Sequence, residues 1–166
     1  MINKENLDEY IGYFNSYFGR SPDYYIERVK WYFNGKNNSF NIYAFFLGVL
    51  WLLFRKMYRP AFFIILIVLL FTIIEEIMYS GGVMDNSTYS YIIMISYLIL
   101  PALIGCFSNR IYIRRSIKII ESSVRIQGDP VKVNESLRKK GGTSLIAPLI
   151  FLIIVLLSNL ALQFKQ

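Results

Sequence analysis

The sequence predicts an all-α, polytopic integral membrane protein with three full transmembrane helices, one short spanning or re-entrant helix, and amphipathic surface helices. Of its 166 residues, 55% are hydrophobic and only 17% are charged, whereas soluble domains carry about 25% charged residues. The apolar residues are gathered into long runs, as in membrane-spanning helices. Basic residues flank these runs and leave a net charge of +7, which membrane topology explains more simply than nucleic-acid binding.

The first part of the chain, residues 1–39, predicts two short amphipathic helices. Asn6 with Glu9 three positions later resembles a capping box at the start of the first helix. Five aromatic residues then recur at the spacing of one helix face: Tyr10, Tyr13, Phe14, Tyr17 and Phe18. Ser21 and Pro22 are typical of a second helix start, whose apolar face is Ile26, Val29 and Phe33. These helices lie either on the membrane or on the body of the protein.

The membrane domain, residues 40–166, contains four apolar segments, which we expect as helices over about 40–54, 61–79, 91–107 and 145–162. The first has 15 residues and would be about 22 Å long as a helix, less than a hydrocarbon core of about 30 Å. It therefore either spans with help from its flanks or is re-entrant. The other three are long enough for full spans.

Residues 109–140 form a basic helical segment, with nine Lys or Arg residues against three acids. An apolar stripe at helical spacing predicts a helix that leaves the membrane with one side against other structure; it consists of Ile113, Ile117, Ile120 and Val124. Asp129-Pro130 predicts the start of a second short helix, and Gly141-Gly142 its end. The basic residues at both membrane-proximal ends are candidates for binding lipid headgroups or a partner: Arg110, Arg114, Arg115, Lys118, Arg138, Lys139 and Lys140.

The distribution of charge predicts the orientation. Residues 55–59 contain three basic residues and 109–140 contain nine, whereas 80–90 contain none. The positive-inside rule places the first two loops in the cytoplasm and the third outside. We expect a multi-pass protein of the bacterial cytoplasmic membrane, without a cleavable signal peptide and with the N-terminus inside.

Several classes of chemistry are excluded by composition. The chain has no histidine and a single cysteine, Cys106, so zinc sites built on His and Cys clusters, Ser-His-Asp catalysis and an internal disulfide are excluded. Glu75-Glu76 resembles the start of a Glu-Glu-x-x-x-Arg protease motif, but Ser80 stands at the Arg position. We expect no enzyme activity, no cofactor and no metal site, and we retain Glu75 and Glu76 as candidates for ion handling.

From Phe40 to Tyr58 the chain reads FNIYAFFLGVLWLLFRKMY. This stretch resembles the bacterial membrane-protein family described as domain of unknown function 2628, whose hallmark is FN-x-x-AFF-x-G-x-x-W-x-x-x-RKMY. The matching residues are Phe40, Asn41, Ala44, Phe45, Phe46, Gly48, Trp51, Arg55, Lys56, Met57 and Tyr58. Ile42, Tyr43 and Phe54 depart from the residues usual in the family.

Three further stretches are similar to the same family: Tyr24-Tyr25 through Trp31, Asn109 to Ile120, and Lys140 to Ser144. The resemblance implies a bacterial membrane location and supplies no activity.

Two classes of function remain open. The first is a non-catalytic accessory or scaffold subunit of a larger membrane or envelope complex, which contacts anionic lipid headgroups and a membrane protein partner. The alternative is a component of a small-solute or ion transporter or channel, which would require a homo-oligomer. We expect no nucleic-acid partner.

Overall fold

A computed structural model describes residues 1–36 and 39–164, and within these ranges all regular secondary structure is helical. The helices in chain order are α1 Leu7–Phe18, α2 Pro22–Phe33, α3 Ile42–Leu47, α4 Val49–Phe54, α5 Tyr58–Ser80, α6 Asn86–Gln127, α7 Pro130–Lys140 and α8 Ile146–Gln163. The all-helical class is therefore confirmed. The sequence also predicted correctly that Pro22 begins α2 and that Asp129-Pro130 begins α7.

The polar parts of the chain pack together into one unit, which we call the head: α1, α2, α7 and residues 108–127 of α6. α1 packs on α7 and α6, and α2 packs on α1 and α6. Phe14, Tyr17 and Phe18 of the predicted aromatic face are buried, because they fill the space between these helices. Of the two expectations for the N-terminal helices, packing on the body of the protein is the one observed.

α6 is one helix of 42 residues, about 63 Å long. Its first half is apolar and its second half belongs to the head, so the predicted third span continues directly into the basic segment. Ile113 and Ile120 of the predicted apolar stripe are buried. The helix begins at Asp85, whose carboxylate accepts a hydrogen bond of 3.0 Å from the Thr88 amide.

Residues 40–54 form two helices, α3 and α4, instead of the one short helix expected from the sequence. The break lies at Gly48, whose φ of +52° and ψ of −123° belong to a region that glycine alone adopts readily. Each helix has six residues, about 9 Å, so neither can cross a bilayer by itself. α3 packs on α6, and α4 contacts α5 and α8, so the pair lies between the head and the apolar helices.

Two helices, α5 and α6, are long and apolar enough to cross a membrane by length and composition. The apolar stretch of α8, Ile146–Ala161, is shorter, so the expected third full span is not among the helices that meet this test. Large apolar side chains are exposed along α5 and α8, for example Phe62, Leu69 and Leu156. These helices are therefore not the buried core of a soluble domain.

Candidate functional site

The hallmark segment folds into the junction between the head and the apolar helices, with Arg55 at its centre. Only 6% of Arg55 is exposed. Its guanidinium donates hydrogen bonds of 3.4 Å to the Phe18 carbonyl and of 3.4 and 3.5 Å to the Arg20 carbonyl. These carbonyls follow the end of α1, where backbone acceptors lack helical partners and the helix dipole is negative. Arg55 therefore caps α1 from 35 or more positions away in the sequence.

Aromatic rings enclose the same guanidinium. The carbon at its centre, Cζ, lies 4.5 Å from the ring centroid of Tyr25 and 5.5 Å from that of Tyr112, within cation–π distance. Further rings stack around Tyr112 at centroid distances of 5.6 to 6.0 Å: Tyr17, Phe18 and Trp51. Among residues 1–36 and 39–164, the only side-chain ion pair is Arg28–Glu27. Carbonyls and ring faces, not a carboxylate, stabilise the charge of Arg55.

Burial raises the pKa of the Tyr17 phenol above its usual value of 10.0, against the opposing effect of the Arg115 and Arg55 charges. Burial also raises the pKa of Tyr25, which the charge of Arg55 opposes. Both phenols therefore stay protonated at neutral pH and serve as apolar rings, not as acids or bases.

Lys56 ends α4 in a Schellman motif. The Met57 amide donates to the Leu52 carbonyl at 2.8 Å and the Lys56 amide donates to the Leu53 carbonyl at 3.0 Å, which is the hydrogen-bond pattern of this motif. The left-handed position is usually glycine, but here Lys56 adopts a φ of +56°. Its ammonium donates to the Lys139 carbonyl at 3.1 Å, near the end of α7. Lys56 thus accepts an unfavourable backbone conformation and caps a second helix.

A buried amide pair joins α3 to α6. Asn41 Nδ2 donates to Asn109 Oδ1 at 2.8 Å, and Asn41 Oδ1 accepts from the Ala44 amide at 3.0 Å. Asn109 Nδ2 in turn lies 3.1 Å from the Tyr24 hydroxyl and 3.0 Å from Ser39 Oγ. Both asparagines are 1% exposed. Their amides are consumed by structural hydrogen bonds, so this pair fixes α3 and α2 against α6.

Gly105 allows α3 to approach α6 closely. A Cβ at this position would lie 2.7 Å from the Phe40 ring and 3.0 Å from Cβ of Phe45. The Asn41 amide donates to the Gly105 carbonyl at 2.8 Å. The hallmark residues thus come together in one place: Asn41, Ala44, Trp51, Arg55 and Met57 are buried, Phe45, Gly48 and Lys56 are partly buried, and Phe40, Phe46 and Tyr58 are exposed.

The predicted basic residues all lie in the head. Arg114, Lys118, Arg138, Lys139 and Lys140 are exposed, and Arg110 and Arg115 are partly buried. Lys118 lines an open cleft of about 420 Å³ with Tyr10 and Arg125. Arg138 lines a second cleft of about 320 Å³ between α1 and α7. Glu75 and Glu76 lie near the end of α5 that is remote from the junction, so they are separate from this site.

The sequence pattern gave no indication of Tyr112, whose ring packs against Tyr17, Phe18, Tyr25 and Trp51 in the junction. Tyr112 lies on a buried face of α6 made largely of small residues: Ser108, Tyr112, Ser116, Ile120 and Ser123. Serine at these spacings is a signal of close helix packing, but it is hidden by the neighbouring isoleucine stripe, which has the stronger apolar period.

A protein-family model, Protein of unknown function (DUF2628), matches residues 14–118. No curated protein and no solved structure matches significantly. The matched region begins in α1 and ends in the second half of α6, so it contains Arg55, Lys56 and the aromatic rings of the junction but not Lys139 of α7. Because the match covers more than half of the 166 residues, the chain belongs to the DUF2628 family.

Proposed function

We propose that this protein is a non-catalytic accessory or scaffold subunit of a larger membrane or envelope complex, located in the bacterial cytoplasmic membrane and in contact with anionic lipid headgroups. The observation that carries this proposal is the junction. Arg55 and Lys56 cap α1 and α7 at the point where α5 begins. The head is thereby held in a defined orientation on the apolar helices, as a binding platform requires.

The proposed topology is multi-pass. α5 and α6 supply two spans, and α8, about 27 Å long, is proposed as the third. Residues 55–59 and 109–140 lie on the cytoplasmic side by the positive-inside rule. The N-terminal helices pack on α6 and α7, so they share that side.

The charge of the head supports contact with acidic groups. Arg114, Arg138 and Lys139 are exposed, and none forms an ion pair within the described ranges. Each Lys or Arg near an anionic membrane surface contributes about 1 kcal/mol to binding. The same cations suit an acidic surface on a partner protein.

Affinity purification of the full chain in a mild detergent tests the proposal. We expect a membrane protein of unrelated sequence to co-purify in a fixed ratio. The double variant with Arg114→Gln and Arg138→Gln should no longer bind that partner. The control is Lys4→Gln, which also changes an exposed side chain and should still bind it.

A homo-oligomer with no other protein would favour the transporter or channel alternative. A monomer with no partner under the same conditions would contradict both.

A further inference from the structure

We propose that α3 and the cations beside it form a collar that inserts at the headgroup layer of an anionic bilayer leaflet. The collar consists of Phe40, Tyr43, Phe46, Arg59 and Arg110. The inference rests on the membrane location proposed above and goes further by assigning the surface and the depth at which the lipid is bound.

Hydrogen bonds of Asn41 fix the level of α3 along α6. The Asn41 amide donates to the Gly105 carbonyl, and Asn41 bonds to Asn109, so α3 is fixed beside residues 105–109 of α6. The path along α6 from Asn86 to Gly105 is about 29 Å, close to the thickness of a hydrocarbon core of about 30 Å. α3 therefore lies one core thickness from the far end of α6.

The other apolar helices leave from the same level. α5 begins at Tyr58, directly after the turn that ends α4. The Ser144 amide, just before α8, donates to the Phe54 carbonyl at 2.9 Å. α5 and α8 thus begin next to the end of α4, near the part of α6 on which α3 packs.

α3 presents aromatic side chains outwards at this level. Ala44 is fully buried, whereas Tyr43 is 68% exposed and Phe46 is 76% exposed. Phe40 and Leu47 are each 49% exposed, and Phe107 of α6 extends the patch. Contiguous exposed apolar surface marks a contact with a membrane or a partner, and aromatic side chains are enriched at the membrane–water boundary.

The cations of the collar lie at the depth of lipid phosphates. Arg59 is in the first turn of α5, and Arg110 directly follows Asn109 on α6. A headgroup layer is about 5–8 Å deep on each side of the bilayer. Lys118 is about 14 Å along the helix from Asn109. Phosphate contact therefore belongs to the collar, and Lys118 lies beyond the headgroups.

Depth measurements on the full chain test the collar. In a Cys106→Ser background, spin labels are attached to three exposed positions through Phe46→Cys, Ile67→Cys and Gly12→Cys, in vesicles that contain anionic lipid. Collision rates with oxygen and with a water-soluble nickel chelate report depth. We expect the label at 67 in the hydrocarbon, the label at 12 in water, and the label at 46 about 15 Å from the bilayer centre.

The three labels separate the two proposals. If the label at 67 is accessible to the nickel chelate, the membrane location itself is wrong. If the label at 67 is in hydrocarbon, the membrane location stands. The collar is then overturned if the label at 46 is as accessible to water as the label at 12, or as deep in the bilayer as the label at 67.

Lipid retention tests the cations. Arg59→Gln with Arg110→Gln should weaken the binding of phosphatidylglycerol to the purified chain about fivefold per cation lost, as measured by native mass spectrometry. Lys118→Gln with Lys132→Gln is the matched control and should bind as the parent does. Because Arg110 is partly buried, Arg59→Gln alone is measured as well. Weaker binding in the control pair together with no change in the Arg59 variant would overturn the assignment.

Discussion

The guanidinium of Arg55 carries much of the stability of the junction, since it has carbonyl and aromatic partners but no carboxylate. Arg55→Met should lower the free energy of unfolding by about 3 kcal/mol, because hydrogen bonds to a charged group are lost while the carbonyls stay buried. Arg55→Lys should restore only part of this free energy, because an ammonium lacks the planar set of N–H donors of a guanidinium. Thermal unfolding in detergent measures this.

The control is Arg59→Met, at an exposed position, which should change stability by no more than about 0.5 kcal/mol. Equal losses at Arg55 and Arg59 would show that Arg55 is not the cap inferred from its hydrogen bonds.

The buried phenols predict an alkaline limit to stability. The pKa of Tyr17 and of Tyr25 is raised in the folded chain, so the unfolded chain loses these protons first. Stability from this source is complete below the unfolded pKa of about 10 and falls as the pH rises from there through the folded pKa. Melting temperatures between pH 8 and 11 should fall less steeply in Tyr17→Phe with Tyr25→Phe than in the parent. Identical slopes would contradict the raised pKa values.

The sequence identified residues that belong to the junction, but it did not indicate what their side chains do. Arg55 and Lys56 stand in a basic turn that predicts cytoplasmic orientation, and nothing local to them indicates capping. Their acceptors are 35 to 83 positions away in the chain, so only the tertiary fold reveals that Arg55 is directed inwards.

Among the helix ends, that of α4 is unusual because Lys56 occupies its left-handed position. Lys56→Gly should be more stable than Lys56→Ala by about 1 kcal/mol, since both lose the bond to Lys139 and only alanine retains the unfavourable φ. The difference between the free energies of unfolding of the two variants measures the cost of the left-handed backbone conformation alone. Equal stability would mean that the residue relaxes out of the left-handed region.

The contact between α1 and the turn after α7 requires glycine at position 141. A Cβ there would collide with the Tyr17 carbonyl, whose oxygen also accepts a hydrogen bond of 2.7 Å from the Gly142 amide. Gly141→Ala should therefore destabilise the head by about 1–3 kcal/mol. Gly12→Ala is the control, since its Cβ meets nothing within 4 Å, and it should stabilise α1 by up to about 1 kcal/mol. A melting temperature for Gly141→Ala at or above that of Gly12→Ala would contradict the contact.

Most helices were predictable as elements, but residues 40–54 were not. Proline identifies the starts of α2 and α7, and at α7 an Asp129 side-chain cap adds to it, because these signals act within one turn of the chain. The run from Phe40 to Phe54 is apolar throughout, and a single Gly48 in such a run is tolerated within a continuous helix at about 1 kcal/mol. The break is imposed by packing of α3 on Gly105, which lies far along the chain.

For the whole molecule, the loop between α5 and α6 should lie outside the cell. It carries no Lys or Arg, whereas residues 55–59 and 109–140 carry twelve between them, and such an asymmetry sets orientation in a membrane. A cysteine introduced as Ser87→Cys in a Cys106→Ser background should react with a membrane-impermeant reagent in intact cells. Gly12→Cys should be protected until the cells are opened. Protection of position 87 with labelling of position 12 would invert the topology.

The continuity of α6 has a mechanical consequence. One helix of 42 residues, with Pro101 inside it, runs from the loop after α5 into the core of the head, where Tyr112 and Ile120 are fully buried. Membrane spans tilt over a range of about 0–40° and respond to bilayer thickness. A change in tilt of about 10° displaces the far end of such a helix by roughly 10 Å. In the proposed setting, we expect a change in bilayer thickness to shift the head through the tilt of α6.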